Sequence, residues 1–162
     1  MQLIVSPGAI PVNKIALQTR IRRDIDNCQP AELSAFMLSQ VAQIEQFYPN
    51  ITKRSNPCAT YNCHGFTFAS RRTCVEEPDD IPVILRDDKF QEVSDADVLP
   101  GDIIIYYDSD NVVQHSGLVV SRPKEPFGFP EVCSKWGGFG EAIHDAPYGP
   151  YNTGNWKFFR IP

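Results

Sequence analysis

The sequence predicts an α+β fold. Two stretches with helical character come first, one of them carrying a cysteine at its start, and short apolar strands separated by Gly, Pro and Asp turns follow. N-terminal helices packed on a small antiparallel sheet are the arrangement this order implies. The 162 residues suit one domain with its own core. Residues 1–29 read as an N-terminal arm and 30–162 as the core.

The first helix is predicted over 30–48. Leu33, Phe36, Met37, Val41, Ile44 and Phe47 form an apolar stripe, Pro30 suits the first turn, and Tyr48-Pro49 ends it. In the arm, Ile15 to Ile25 reads as a short helix whose mixed Arg and Asp residues form a solvated face. A polar loop over 51–61 leads to Tyr61-Asn62-Cys63-His64-Gly65-Phe66. A short helix is expected over 62–72, capped by Asn62 or Thr60 and closed by Arg71 and Arg72. Ile81 to Leu85 reads as a short strand, and Asp87 to Asp97 as exposed.

The β region opens at the turn Leu99-Pro100-Gly101-Asp102 and continues as the strand Ile103 to Tyr107. Asp108 to Asn111 turn the chain into a return strand, Val112 to Val120, on which His115, Gly117 and Val119 share a face. Glu131 to Trp136 is a third strand. Ala142 to His144 pairs briefly, and Trp156 to Ile161 is the last strand.

Composition narrows the function. A net charge of -5 disfavours nucleic acid as the main partner. No apolar run is long enough for a membrane helix, and the N-terminus lacks the basic and apolar regions of a secretory signal. The chain is therefore expected to be cytoplasmic as synthesised, with export requiring a dedicated machine. The five cysteines form no regular framework and are expected to stay reduced. The spacing Cys58-x4-Cys63-His64-x9-Cys74 does not match a zinc finger or ribbon, so neither a metal nor an organic cofactor is expected. No feature of the sequence sets an oligomeric state.

A cysteine at a helix start is where a thiol becomes reactive. The first-turn amides and the helix dipole favour the thiolate, so Cys63 is expected below the ordinary value of about 8.5. A nucleophilic thiol needs a base, and the base needs an orienting group. His115, held on a strand beside Gly117, is the best base in the sequence.

In this order Asn62-Cys63-His64-Gly65-Phe66, Leu99-Pro100-Gly101-Asp102-Ile103-Ile104-Ile105-Tyr106-Tyr107 and His115-Ser116-Gly117-Leu118-Val119-Val120 resemble the NlpC/P60 and CHAP groups of papain-like cysteine peptidases and amidases. The resemblance covers about residues 57–136. It implies a papain-like core, Cys63 as nucleophile, His115 as general base and then acid, and the Cys63 amide in the oxyanion hole. Ser134 is the first choice for the orienting residue, with Glu131 and His144 as rivals. His64 replaces the family's usual small residue. Asn62, His64, Trp136 and His144 are expected to line the substrate site. The substrate would be a peptide-type amide, either a peptidoglycan stem peptide or a protein or isopeptide bond. A non-catalytic papain-like binding module, or an acyltransferase using the same pair, is the alternative.

Overall fold

The computed structural model describes residues 13–123 and 127–162. The irregular start expected around Pro7, Gly8 and Pro11, and part of the loop Pro123 to Pro130, lie outside the described residues. In chain order the elements are α1 (Ala35–Phe47), β1 (Thr52–Lys53), α2 (Cys63–Phe68), α3 (Asp80–Asp87), β2 (Gln91–Val93), β3 (Ile103–Tyr107), β4 (Val113–Ser121), β5 (Glu131–Lys135), β6 (Glu141–Asp145) and β7 (Trp156–Arg160). Short 3-10 turns occupy Asp95–Asp97 and Gly137–Phe139. The strands form one antiparallel sheet in the order β1-β6-β5-β4-β3-β7-β2. The protein is thus a mixed α/β molecule with few helices and a seven-stranded sheet.

Both faces of the sheet are covered, which is why β3 reads as an unbroken apolar run. On one face Ile103 and Ile105 pack with Ile25, Val75, Ile81, Ile84, Val113 and Phe159. On the other, Ile104 and Tyr106 pack with Val98, Val119, Val132, Ala146 and Phe158. Pairing of Ile105 with Ser116 and of Tyr106 with His115 assigns those two β4 residues to opposite faces.

Pro100-Gly101-Asp102 has a structural part in this sheet. Gly101 takes φ 97°, and the Asp102 carboxylate accepts from the Leu99 amide at 2.7 Å and from both Arg160 Nε and Nη2 at 2.7 Å. The turn is thereby tied to β7. Burial alone would raise the Asp102 pKa, yet Arg160 and the Leu99 amide hold it below the usual carboxylate value.

Several expectations need correction. Ile81 to Leu85 is helical: Asp80 in the first turn and Arg86 in the last suit the dipole, Pro82 is tolerated near the N-terminus, and Ile81 and Ile84 face the core together. Ile15 to Ile25 forms no helix. Gln18 and Asp24 make an antiparallel bridge around a turn in which Arg22 takes φ 66°. Asp87 is buried rather than exposed, bonded to Arg23, Arg86 and Thr19. The following segment includes β2. Helix α1 begins at Ala35, capped by Ser34, rather than at Pro30, and none of its residues is fully buried. Leu33, Met37, Val41 and Ile44 are half-buried, whereas Phe36 and Phe47 are exposed. Ala142 to His144 belongs to a full strand that pairs on both sides.

Gly65 sets how closely α2 meets the segment that leaves it. A Cβ there would lie 1.7 Å from the Thr73 carbonyl oxygen, a backbone atom that cannot rotate away. Gly65→Ala is expected to lower the unfolding free energy by about 3 kcal/mol in urea titrations. Phe36→Ser, on the exposed side of α1, is expected to change it by no more than about 0.5 kcal/mol.

Candidate active site

Helix α2 starts at Cys63 because Asn62 caps it. The Asn62 Oδ1 accepts from the Gly65 amide at 2.8 Å and from the Val75 amide at 3.1 Å, while Nδ2 donates to the Val75 carbonyl at 2.7 Å. One carboxamide therefore holds the start of the helix and the strand-like segment returning past it. The helix is shorter than the sequence predicts. Ser70 and Arg71 take φ 51° and 64°, so the chain turns out after Phe68. Arg71 then leaves the helix end to pair with Glu141 at 2.6 and 3.1 Å. Arg72 Nε does bond a helix-end carbonyl, that of Ala69, at 3.1 Å.

The face of α2 meets β4 at Ser116. His64 Nδ1 lies 2.9 Å from Ser116 Oγ, Ser116 Oγ lies 2.9 Å from Thr67 Oγ1, and Thr67 Oγ1 donates to the Cys63 carbonyl at 3.0 Å. One consistent assignment has His64 donating to Ser116 and Ser116 donating to Thr67. His64, expected to contact substrate, is buried in this relay and pins α2 to β4.

His115 is 1% exposed, and neither ring nitrogen has a hydrogen-bond partner among the described residues. Its ring stacks on Tyr151 with centroids 4.0 Å apart and planes 10° apart. The backbone amide of Ser116, the next residue, faces the Cys63 thiol, and Tyr151 is close enough to feel a charge on Cys63. Tyr151 therefore lies against the imidazole and within electrostatic reach of the thiol, while neither His115 nitrogen bonds the Cys63 sulfur.

Ser134 lies opposite Gly117 in the β4–β5 register. Its hydroxyl meets His144 Nε2 at 2.9 Å and accepts from Trp136 Nε1 at 2.8 Å, while His144 Nδ1 meets the Asp145 carbonyl at 2.9 Å. That hydroxyl is engaged there and does not bond His115. Glu131 pairs with the Ser121 hydroxyl at 2.8 Å. Trp136 is fully buried with Phe139 and Ala142. A Cβ on Gly117 would lie 2.8 Å from the Cys133 carbonyl and 2.9 Å from Ser134 Cβ, so its bareness serves the β4–β5 approach.

Electrostatics correct the expected thiolate. Burial pushes the Cys63 thiol up to about 11, against the opposing pull of the Ser116, His64 and Cys63 amides and of Lys135. Burial likewise pushes His64 down to about 4 and His115 well below its ordinary value. At neutral pH the site holds a neutral thiol and a neutral imidazole.

Behind the Tyr148–Asn152 loop, His115, Tyr106, His144, Tyr148 and Tyr151 line a tight crevice with no room for a water molecule. His144 and Tyr148 also line an open groove with Asn50, Phe129, Ile143 and Asp145. Of the residues expected to line a substrate site, His144 alone faces this groove, while Asn62 and Trp136 serve the cap and the core.

Two supporting residues escape sequence reasoning. Lys135 is buried with its Nζ bonded to the carbonyls of Cys58 and Gly137, above the Tyr61 ring. Glu141 accepts from Tyr61 Oη at 2.6 Å as well as from Arg71, joining the residues on both sides of α2 to β6. For Glu141 the signal was an acid set directly before the apolar pair Ala142-Ile143. For Lys135 the signal was its place on the face shared with Glu131 and Cys133.

No protein-family model, curated protein or solved structure matches the chain.

All three histidines of the chain lie below their ordinary value when folded, each because burial disfavours the imidazolium. Unfolded, each titrates near 6.5, so between there and about pH 4 the unfolded chain binds more protons. Stability is expected to be full above about pH 6.5 and to fall as the pH drops through that window. His64→Gln should remove its share of the slope, about 1.4 kcal/mol per pH unit. Urea midpoints measured from pH 7 to pH 4.5 check both outcomes.

Proposed function

We propose that the chain is a cysteine hydrolase with a papain-like, NlpC/P60-type core, cleaving a peptide-type amide. The observation that carries this reading is the buried His115 imidazole, unpartnered at both nitrogens, on the strand whose next residue, Ser116, meets the capped helix start of Cys63. Buried polar groups are nearly always hydrogen-bonded, and an imidazole kept free of partners is available to take a proton. The helix laid against the antiparallel strand that carries the histidine also supports the reading.

The chemistry follows from the neutral pair. Cys63 Sγ attacks the amide carbonyl carbon as its proton passes to His115, and the Cys63 amide bonds the oxyanion. His115 returns the proton to the leaving amine as the C–N bond breaks, leaving a thioester. Water then attacks the thioester, giving its proton to His115, and the C–S bond breaks to release the acid and restore the thiol. Because thiol and imidazole start neutral, proton transfer accompanies attack rather than preceding it. An extended peptide would approach along the groove beside His144 and Tyr148, and Tyr151, stacked on the His115 ring, would have to move aside for substrate to reach the imidazole. Peptidoglycan stem peptides and protein or isopeptide bonds share this chemistry. An acyltransferase would differ only in replacing water with another acceptor.

A non-catalytic binding module is the second reading, favoured by the rise of Cys63 to about 11.

Cys63→Ala and His115→Ala are each expected to reduce hydrolysis of peptide and cell-wall amide substrates by about 10⁴-fold or more. Unfolding transitions measured alongside report whether each variant remains folded. Full biological effect in a folded Cys63→Ala protein would establish the binding module instead. In the resting protein at pH 7.5, Cys63 is expected to react with iodoacetamide more slowly than an ordinary thiol, measured by peptide mapping.

A further inference from the structure

Cys28, Cys74 and Glu76 bring two sulfurs and a carboxylate oxygen within 4.8 Å of one another, next to the segment gripped by Asn62. The backbone fixes this grouping. Cys28 donates to the Cys74 carbonyl at 3.1 Å and Cys74 donates back at 2.7 Å, forming an isolated antiparallel bridge between the N-terminal arm and the segment leaving α2. Thr73 Oγ1 adds a bond to the Cys28 carbonyl at 2.9 Å. We propose that Cys28, Cys74 and Glu76 form a binding site for a thiophilic divalent cation of the zinc class.

The donor set suits such an ion. Zinc takes thiolate and carboxylate ligands together, and a tetrahedral ion holds its sulfurs about 3.8 Å apart, which small side-chain rotations provide here. Three protein donors leave a fourth position for water. Cys74 is buried, Cys28 is half-buried and Glu76 is exposed, so the site is framed on one side and open to an entering ion on the other. A divalent cation takes the place of the two thiol protons, which pass to solvent. The sequence spacing that excludes a finger or ribbon omits Cys28, which reaches the site from a distant part of the chain.

Cys74 and Glu76 flank Val75, whose amide and carbonyl Asn62 holds. An ion bound there stiffens the strip against which the start of α2 is capped. The site involves neither Cys63 nor His115, so it stands or falls apart from the proposed hydrolase activity.

The test uses reduced, chelator-stripped full-length protein titrated with Co²⁺ alone. A thiolate-to-cobalt charge-transfer band should saturate at one ion per chain and be displaced by Zn²⁺. Cys28→Ser should abolish the band, and Glu76→Gln should weaken binding about tenfold or more. Absence of the band from the wild-type protein, or its persistence in Cys28→Ser, overturns the proposal. So does a Cys28–Cys74 disulfide that forms in preference to metal binding under reducing conditions. The wild-type protein supplies a readout independent of any variant's folding. Zn²⁺ should slow iodoacetamide labelling of Cys28 about tenfold, and unchanged labelling overturns the site.

Discussion

The Asn62 carboxamide is the interaction on which the candidate site depends. It satisfies an otherwise orphaned amide in the first turn of α2 and pairs both backbone groups of Val75. One short side chain thereby fixes where the helix begins, which way the Cys63 thiol leaves it, and how the chain returns. Gly65 permits this closeness, since Thr73 occupies the space a side chain would need. The relay from His64 through Ser116 and Thr67 to the Cys63 carbonyl then locks the capped turn onto β4.

Much of the sheet is legible in the sequence because its strands are apolar runs bounded by turn residues. Ile103 to Tyr107, the return strand and the last strand all stand near where alternation and turn chemistry put them. Errors concentrate where tertiary contacts override local pattern. Ile81 to Leu85 carries β-branched residues, yet two isoleucines three apart face the core best from a helix. Asp87 looks like a solvated charge until Arg23 arrives from the arm, 64 residues away in sequence. Phe36 and Phe47 belong to an apolar stripe whose width exceeds the narrow contact that α1 makes with Trp136, Phe139 and their neighbours.

At the site, the cysteine at a helix start and the histidine on a strand can be read from residue order, whereas the environment of each cannot. The dipole argument for an acidic thiol is sound for an exposed helix end. Here desolvation is the larger effect. The same burial keeps all three imidazoles neutral, so the buried polar face contains no charge from histidine. Lys135 is a buried cation in this region. It is solvated by backbone carbonyls rather than by a carboxylate, which suits a Lys head placed near the positive end of a helix only because the loop carbonyls turn toward it.

The two outermost strands bear on how this chain behaves beside its own copies. A long flat edge offers unpaired amides and carbonyls to any passing strand. In this sheet β1 has two residues and β2 has three, with Lys53 and Glu92 among them. Such brief, charged margins give an incoming strand little to pair with. The wide central ladder can therefore remain strongly apolar without becoming a template for aggregation.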